Sequence, residues 1–222
     1  MLLAIDTSTA QTGLAVYDGA QVLGESVWYS HQHHTVELAP SLAGLLGRCG
    51  VTMDSVSALG VAIGPGSFTS LRVGLAFAKG LSLSRRLPLV GIPTLDIVAA
   101  AQPVADMPLM AVLQAGRGRL AVGWYEAAEN GWQAQGPARI ETADSLADSI
   151  QNPTIVCGEL NAEERQRLAR KRVNVVLVSA AQSVRRPAVL AELAWARWQA
   201  GAVDDAAALA PVYLHAVGLP PE

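Results

Sequence analysis

One order of elements is written twice along these 222 residues, and that repetition constrains the fold more than any single motif. In the first half, "LLAID", "GLAVYD" and "QVLGESVWYS" are short apolar or alternating runs, separated by the polar "TSTAQT" and a Gly19-Ala20 turn. Connections this short make three consecutive antiparallel strands. A helix is expected around "VELAPSLAGLLGR", where Val36, Leu38, Leu42, Leu45 and Leu46 recur at core-like spacing. Pro40 lies within it, and an interior proline costs about 3 kcal/mol, so this helix is kinked or its regular part starts near Pro40. The strand "SALGVAIG", the helix "SFTSLRVGLAFAKGLSLS", the strand "LPLVGI" and the helix "PTLDIVAAA" complete the half.

The second half repeats the order. "MPLMAVLQA", "RLAVGWYEA" and "GWQAQGPARIE" are strands, followed by the helix "ADSLADSI", the strand "PTIVCG", the helix "NAEERQRLARK" and the strand "VNVVLVS". The last helix is "PAVLAELAWARWQAG", with Pro187 suited to its first position and Gly201 to its stop. Two β-β-β-α-β-α-β-α units are the architecture of the actin/sugar-kinase/Hsp70 (ASKHA) superfamily, an α/β fold of two RNase H-like lobes. The expected lobes are residues 1–103 and a reduced 104–222, whose last segment could pack back on the first. Half the chain is hydrophobic but only 5% is aromatic, so the cores must be built from Ala, Leu and Val.

Bulk properties exclude some roles. A net charge of -3 gives no electrostatic footprint for gripping nucleic acid alone, so any role near RNA needs a partner to supply the charge. Cys49 and Cys157 form no C-x-x-C pair, which suits a reducing cytosol. "MLLAIDTSTAQTG" reads as a first strand rather than a signal peptide, and no segment approaches the roughly 18 to 20 apolar residues that span a bilayer. The expectation is a cytoplasmic protein with no membrane partner.

Chemistry would start at Asp6, Thr7 and Ser8, at the end of the first strand. A carboxylate there can face a hydrated cation while amides and hydroxyls face phosphates; the same residues also close ordinary Asx and Ser/Thr turns. "GPGSFTSLR", from Gly64 to Arg72, lacks the lysine and spacing of a P-loop. Gly64 and Gly66 permit a tight turn, Pro65 stiffens it, and Ser67 can cap the following helix. On that helix Leu71, Leu75, Ala78 and Leu81 form an apolar stripe, with Ala76 and Gly80 allowing close approach. His31, His33 and His34 lie in one polar segment, with His215 the only other histidine; a capping role for Thr35 or His34 accounts for them more simply than a zinc site does. No G-x-S-x-G elbow exists. The run "EERQRLARKR" places Glu163 and Glu164 ahead of Arg165, Arg167, Arg170, Lys171 and Arg172, the order of a solvated helix face.

Together, "LAIDTST", "HTVELAP", "GPGSFTSLRVGLAFAKGL", "QAGRGRLAVGWYE" and "PVYL" resemble the TsaB (YeaZ) family along nearly the whole chain. The resemblance implies a non-catalytic subunit of the machinery that forms N6-threonylcarbamoyladenosine at position 37 of tRNAs reading ANN codons. It implies a TsaD-like catalytic paralogue as partner, a TsaE-like ATPase, contact with tRNA through the complex, and a homodimer when alone. Docking would use the two first-lobe helices, with Leu42, Leu45, Leu71, Leu75 and Ala78 as interface residues. Asp6, Thr7, Ser8, Gly64 and Gly66 would be a vestigial nucleotide cleft, with no cofactor or at most weak nucleotide binding. The metal-binding histidines of TsaD-like proteins fall on Thr94 and Val98, so no metal is expected.

Three positions depart from the family pattern: Ser70 replaces a usual glycine, Gln114 replaces a usual aspartate, and only Gly158 in "IVCGE" suggests a nucleotide loop in the short second lobe. The alternative function is a free-standing phosphotransferase using Asp6, or a metallopeptidase-like enzyme.

Overall fold

The computed structural model describes residues 1–30, 33–116, 118–170 and 173–214. In chain order the elements are β1 (Leu2–Asp6), β2 (Gln11–Tyr17), β3 (Val22–Tyr29), α1 (His34–Cys49), β4 (Ala58–Ala62), α2 (Phe68–Arg85), β5 (Leu89–Ile92) and α3 (Thr94–Ala100). The chain continues through β6 (Leu109–Gln114), β7 (Arg119–Ala128), β8 (Gly131–Ala134), β9 (Arg139–Thr142), α4 (Ala143–Ser149), β10 (Thr154–Gly158), α5 (Ala162–Ala169), β11 (Val175–Leu177) and α6 (Pro187–Gln199).

The first sheet runs β3-β2-β1-β4-β5. The β1/β2 and β2/β3 pairs are antiparallel, while β1/β4 and β4/β5 are parallel. Because side chains alternate across a strand, each strand feeds two cores. Leu3, Ile5, Leu14, Val16, Leu59, Val61 and Leu89 face one way, against Leu38, Leu42, Leu45 and Leu46 of α1 and Leu75 and Ala78 of α2. Leu2, Ala4, Ala15, Ala58, Ala62, Val90 and Ile92 face the other way, against Leu190, Ala191 and Ala194 of α6. Burial on both faces is why β1 and β4 read as unbroken apolar runs.

That second contact is the packing back of the last segment that the sequence allowed, and it moves the boundary. The helix read as the last element of the second half covers the first sheet, and the first unit comprises Met1–Ile97 with Arg186–Val212, so the break falls after Ile97 instead of at 103/104. The sheet is shaped for this helix. A Cβ on Gly60 would lie 2.7 Å from the Ala194 Cβ, and one on Gly13 would lie 2.9 Å from the Pro187 ring. The Glu25 carboxylate of β3 accepts from the Ala188 amide at 3.0 Å, satisfying a free donor in the first turn of α6.

Five further expectations need correction here. Leu42, Leu45, Leu71, Leu75 and Ala78, expected at a partner or dimer interface, are between 0% and 5% exposed. A helix lying on a sheet buries its apolar stripe against that sheet, so the residues legible as a stripe are core and cannot meet a partner without opening it. The exposed face of α2 is the opposite one.

α1 is also longer than expected, starting six residues before Pro40. Val36 and Pro40 are both exposed, so water can take the carbonyl that the proline leaves without a donor.

The second unit is built on Val98–Arg185. Its sheet, β11-β10-β6-β7-β8, repeats the strand order of the first, with β6/β7 antiparallel and β6/β10 and β10/β11 parallel. This is the doubled ASKHA topology. "GWQAQGPARIE" is two strands rather than one: Gly136 and Pro137 break it, and the long β7 pairs with β8 through Tyr125–Ala128 and with β9 through Arg119–Val122. Met110, Val112, Leu120, Val122 and Val156 pack under Leu146 of α4 and Leu168 of α5. Among the described residues no helix is long and apolar enough to cross a membrane.

Candidate functional site

The first unit brings Asp6, Thr7, Ser8, Gly64 and Gly66 to one place, where β1 ends beside the loop leading into α2. The turn after β1 is closed locally: the Ser8 amide donates to Asp6 Oδ1 at 2.8 Å. It is then bonded to everything around it. Thr7 Oγ1 donates to the Ser70 carbonyl at 2.6 Å and accepts from the Gly74 amide at 3.1 Å. Ser8 Oγ lies 2.8 Å from Thr94 Oγ1, which also accepts from the Gly64 amide at 3.0 Å. The Ser67 amide donates to the Ser8 carbonyl at 2.7 Å. Asp6, Thr7, Ser8 and Thr94 are all at most 2% exposed.

The two loops that would flank a phosphate therefore touch. A Cβ on Gly66 would overlap the Ser8 carbonyl, and one on Gly74 would overlap Thr7 Oγ1. Gly64 adopts φ +107°, where a side chain would be strained. Ser67 caps α2 as expected, its side chain accepting from the Ser70 amide. At the two positions the resemblance assigns to metal ligands, Thr94 Oγ1 is committed to Ser8 and Gly64, and Val98 is buried and has no donor atom. These residues do not fit the metal. Among the described residues no three His, Cys, Asp or Glu side chains converge as a metal ion would need.

His34 was the residue sequence reasoning misjudged. Neither it nor Thr35 caps α1; the N-cap is His33, which makes no side-chain cap bond. His34 is instead 4% exposed, with Nδ1 3.2 Å from Thr12 Oγ1 of β2 and Nε2 2.8 Å from Ser70 Oγ of α2. Ser70 Oγ in turn donates to Ser67 Oγ at 3.0 Å. Burial pushes the His34 pKa below the usual histidine value, with Glu37 acting weakly the other way. The departure at Ser70 is thus explained: its hydroxyl ties α1 to α2. His31 lies outside the described residues.

Outside this knot, α1 and α2 present an uncovered face. On α1 it runs through Val36, Ala39, Pro40, Ala43 and Gly47; on α2 it runs through Phe68, Arg72, Ala76, Gly80 and Leu83, all exposed. Phe68 is 52% and Leu83 68% exposed. Arg72 stacks over the Phe68 ring at 3.6 Å, and an open depression is lined by Thr35, Phe68, Thr69, Arg72, Val73 and Phe77. Gly47 and Gly80 are helical glycines with open space where a Cβ would stand. Each costs about 0.5–1 kcal/mol relative to alanine, and no packing among the described residues requires either.

In the second unit, Gln114 Nε2 donates to Glu164 Oε2 at 2.6 Å and to the Glu159 carbonyl at 3.3 Å. Glu164 is 5% exposed and also closes a capping box with Asn161. An aspartate at position 114 would set a second carboxylate against it, which accounts for the amide. Gly158 is demanded by strand packing, since a Cβ would overlap the Val112 carbonyl. Glu159 forms a buried ion pair with Arg185. The basic run is only partly a solvated face: Arg167 pairs with Asp144 and Glu163 at the surface, whereas Arg165 donates inward to the Val178 carbonyl and Ser183. Lys171, Arg172 and His215 lie outside the described residues.

A family model described as "TsaD: tRNA N6-adenosine threonylcarbamoyltransferase" matches residues 23–217. A curated relative from Bacillus subtilis (strain 168), "tRNA threonylcarbamoyladenosine biosynthesis protein TsaB", is 33% identical over 125 residues, which is 56% of this chain. The chain spans 55% of that relative's length, and 59% of the corresponding Escherichia coli (strain K12) protein, at 31% identity. Among solved structures, YeaZ from Pseudomonas aeruginosa superposes with a TM-score of 0.78 at 22% identity, covering 96% of this chain and 99% of that one. A ROK hexokinase from Thermus thermophilus gives 0.51 at 11% identity, covering 89% and 99%. At these identities the structures establish the fold.

Proposed function

We propose that this chain, which belongs to the TsaD family of tRNA N6-adenosine threonylcarbamoyltransferases and within it to the TsaB (YeaZ) group, is a non-catalytic docking subunit. It works in forming N6-threonylcarbamoyladenosine at position 37 of tRNAs reading ANN codons. Its role is to hold a TsaD-like catalytic paralogue in its active form. A TsaE-like ATPase completes the assembly, tRNA is reached through the complex, and the chain alone pairs with a second copy through the same face.

The observation that carries this reading is the uncovered α1/α2 face. Gly47 and Gly80 lower helix stability with no internal return. A facing helix pair supplies the reason, because small residues let helix axes approach closely while Val36, Phe68 and Leu83 bury apolar surface. The docking residues are accordingly Ala43, Gly47, Phe68, Ala76 and Gly80. They replace the buried stripe that the periodicity suggested.

Two features support a non-catalytic role. Thr94 and Val98 cannot supply the paralogue's metal ligands, and the Ser8–Gly66 contact fills the space between the loops of the ancestral cleft. Nucleotide binding by this chain is accordingly weak or absent.

The test is reconstituted modification with the cognate TsaD-like and TsaE-like proteins and threonylcarbamoyl-adenylate. Modified adenosine is expected only when this chain is added, and none when it replaces the paralogue. Equal modification without it would reject the docking role. Saturable ATP turnover by the isolated chain, lost in Asp6→Asn, would favour a free-standing phosphotransferase instead.

A further inference from the structure

His34 sits where three elements meet beneath the docking face, and its surroundings favour one protonation state. With the Ser70 hydroxyl donating to Ser67 Oγ, Nε2 donates to Ser70, and Nδ1 of the neutral ring accepts from the Thr12 hydroxyl. This is the neutral Nε2–H tautomer. A second proton would reverse the Thr12 bond, with Nδ1–H donating to the hydroxyl, and place a full charge in a 4% exposed site. His34 is also the first residue of α1, and its Nε2 faces the first turn of α2. Two helix N-termini, each carrying partial positive charge, thus oppose an imidazolium.

The groups around the ring offer little compensation. The ring is hydrogen-bonded to Thr12 of β2 and Ser70 of α2, both neutral, with the Ser67 hydroxyl beyond Ser70. On α1, His33 is exposed, and Glu37 supplies the opposing charge among the described residues. The Glu37 carboxylate is held below its usual pKa by hydrogen bonds from Ser30 and Trp28, so it stays ionised while His34 titrates. Thr35, the next residue, lines the rim of the depression with Phe68 and Thr69.

We propose that His34 is a pH-operated latch: neutral, it holds the first turns of α1 and α2 in register and keeps the docking face formed; protonated, it releases the start of α1 and weakens docking. This rests on the docking reading above. The sign follows from burial. A histidine whose folded pKa is depressed contributes its full stability above the unfolded value, about 6.5, and loses it as pH falls through that value toward the folded one.

The test uses the native chain with labelled histidine. By NMR, His34 titrates below about pH 6.5, and the amides of Thr35, Phe68 and Thr69 move with the same midpoint. The dissociation constant for the paralogue, or for a second copy, is then measured by sedimentation from about pH 7.5 to 5.5. It rises as pH falls for the native chain, by at most about tenfold per pH unit, the limit for one proton. His34→Gln is flat, and His33→Gln keeps the slope. Ordinary titration of His34, rim amides that do not follow it, or equal slopes in the native chain and His34→Gln would each overturn the latch. If no association occurs at any pH, the docking reading fails, and the rim amides alone decide the latch. They also decide it if His34→Gln does not fold.

Discussion

Leu75→Glu unfolds the chain, whereas Ala76→Glu, one position along the same helix, leaves it folded and unable to dock. Leu75 is 4% exposed and packs between α2 and the sheet, among Leu38, Leu42, Leu59 and Leu89. Truncating such a leucine costs about 2–5 kcal/mol, and a buried unpaired carboxylate adds several more. A domain of this kind has about 5–15 kcal/mol in total, so little native population survives. Ala76 points outward on the uncovered face. A glutamate there changes helix propensity by a few tenths of a kcal/mol, and Arg72 one turn earlier accommodates its charge. Across an apolar helix contact, however, the same carboxylate must be desolvated, at about 2 kcal/mol or more, or roughly 30-fold in affinity. Thermal melts followed by circular dichroism separate the two variants, and co-sedimentation with the paralogue reads docking. A melt for Ala76→Glu as low as that for Leu75→Glu would mean that the face is core.

Gly66→Ala lowers the melting temperature by about 3–18 °C. Its Cβ would overlap the Ser8 carbonyl, and backbone stands on both sides of the contact, so no side chain can swing away. Relief requires parting the loop from the β1 turn, with loss of the 2.7 Å bond from the Ser67 amide to Ser8. Overpacking of about 1–3 kcal/mol plus a hydrogen bond of about 0.5–1.5 kcal/mol gives the expected loss. At about 2–4 °C per kcal/mol for a chain this long, that is the stated shift. Gly80→Ala is the control: with open space at its Cβ, it gains about 0.5–1 kcal/mol while weakening docking. Scanning calorimetry checks both, and an unchanged Gly66→Ala melt would show that the two loops do not touch.

The order of elements along the chain was legible because its signals are local: alternating apolar runs, short polar turns, and a helix capped by Ser67. What was less legible is non-local. That the last segment could return to the first lobe was expected, but the element that returns, α6, depends on Gly13 and Gly60 receiving Pro187 and Ala194, contacts that span well over a hundred residues. The five leucines and alanines read as an interface follow helical spacing, and spacing alone cannot distinguish a stripe facing a sheet from one facing a partner. The informative signal lay on the other face, in two helical glycines without an internal role. His34 was mistaken for a cap because the hydroxyls that hold it, Thr12 and Ser70, lie 22 and 36 residues away. The serine standing where the family usually has glycine was the available hint.

The most direct measurement is reconstituted tRNA modification with the TsaD-like and TsaE-like proteins, comparing the native chain with Ala76→Glu at matched concentration. The account predicts that the native chain supports modification and that the folded variant does not, with partial recovery at higher concentration as mass action restores docking. Equal modification by the two would contradict it and place the functional surface elsewhere on the chain.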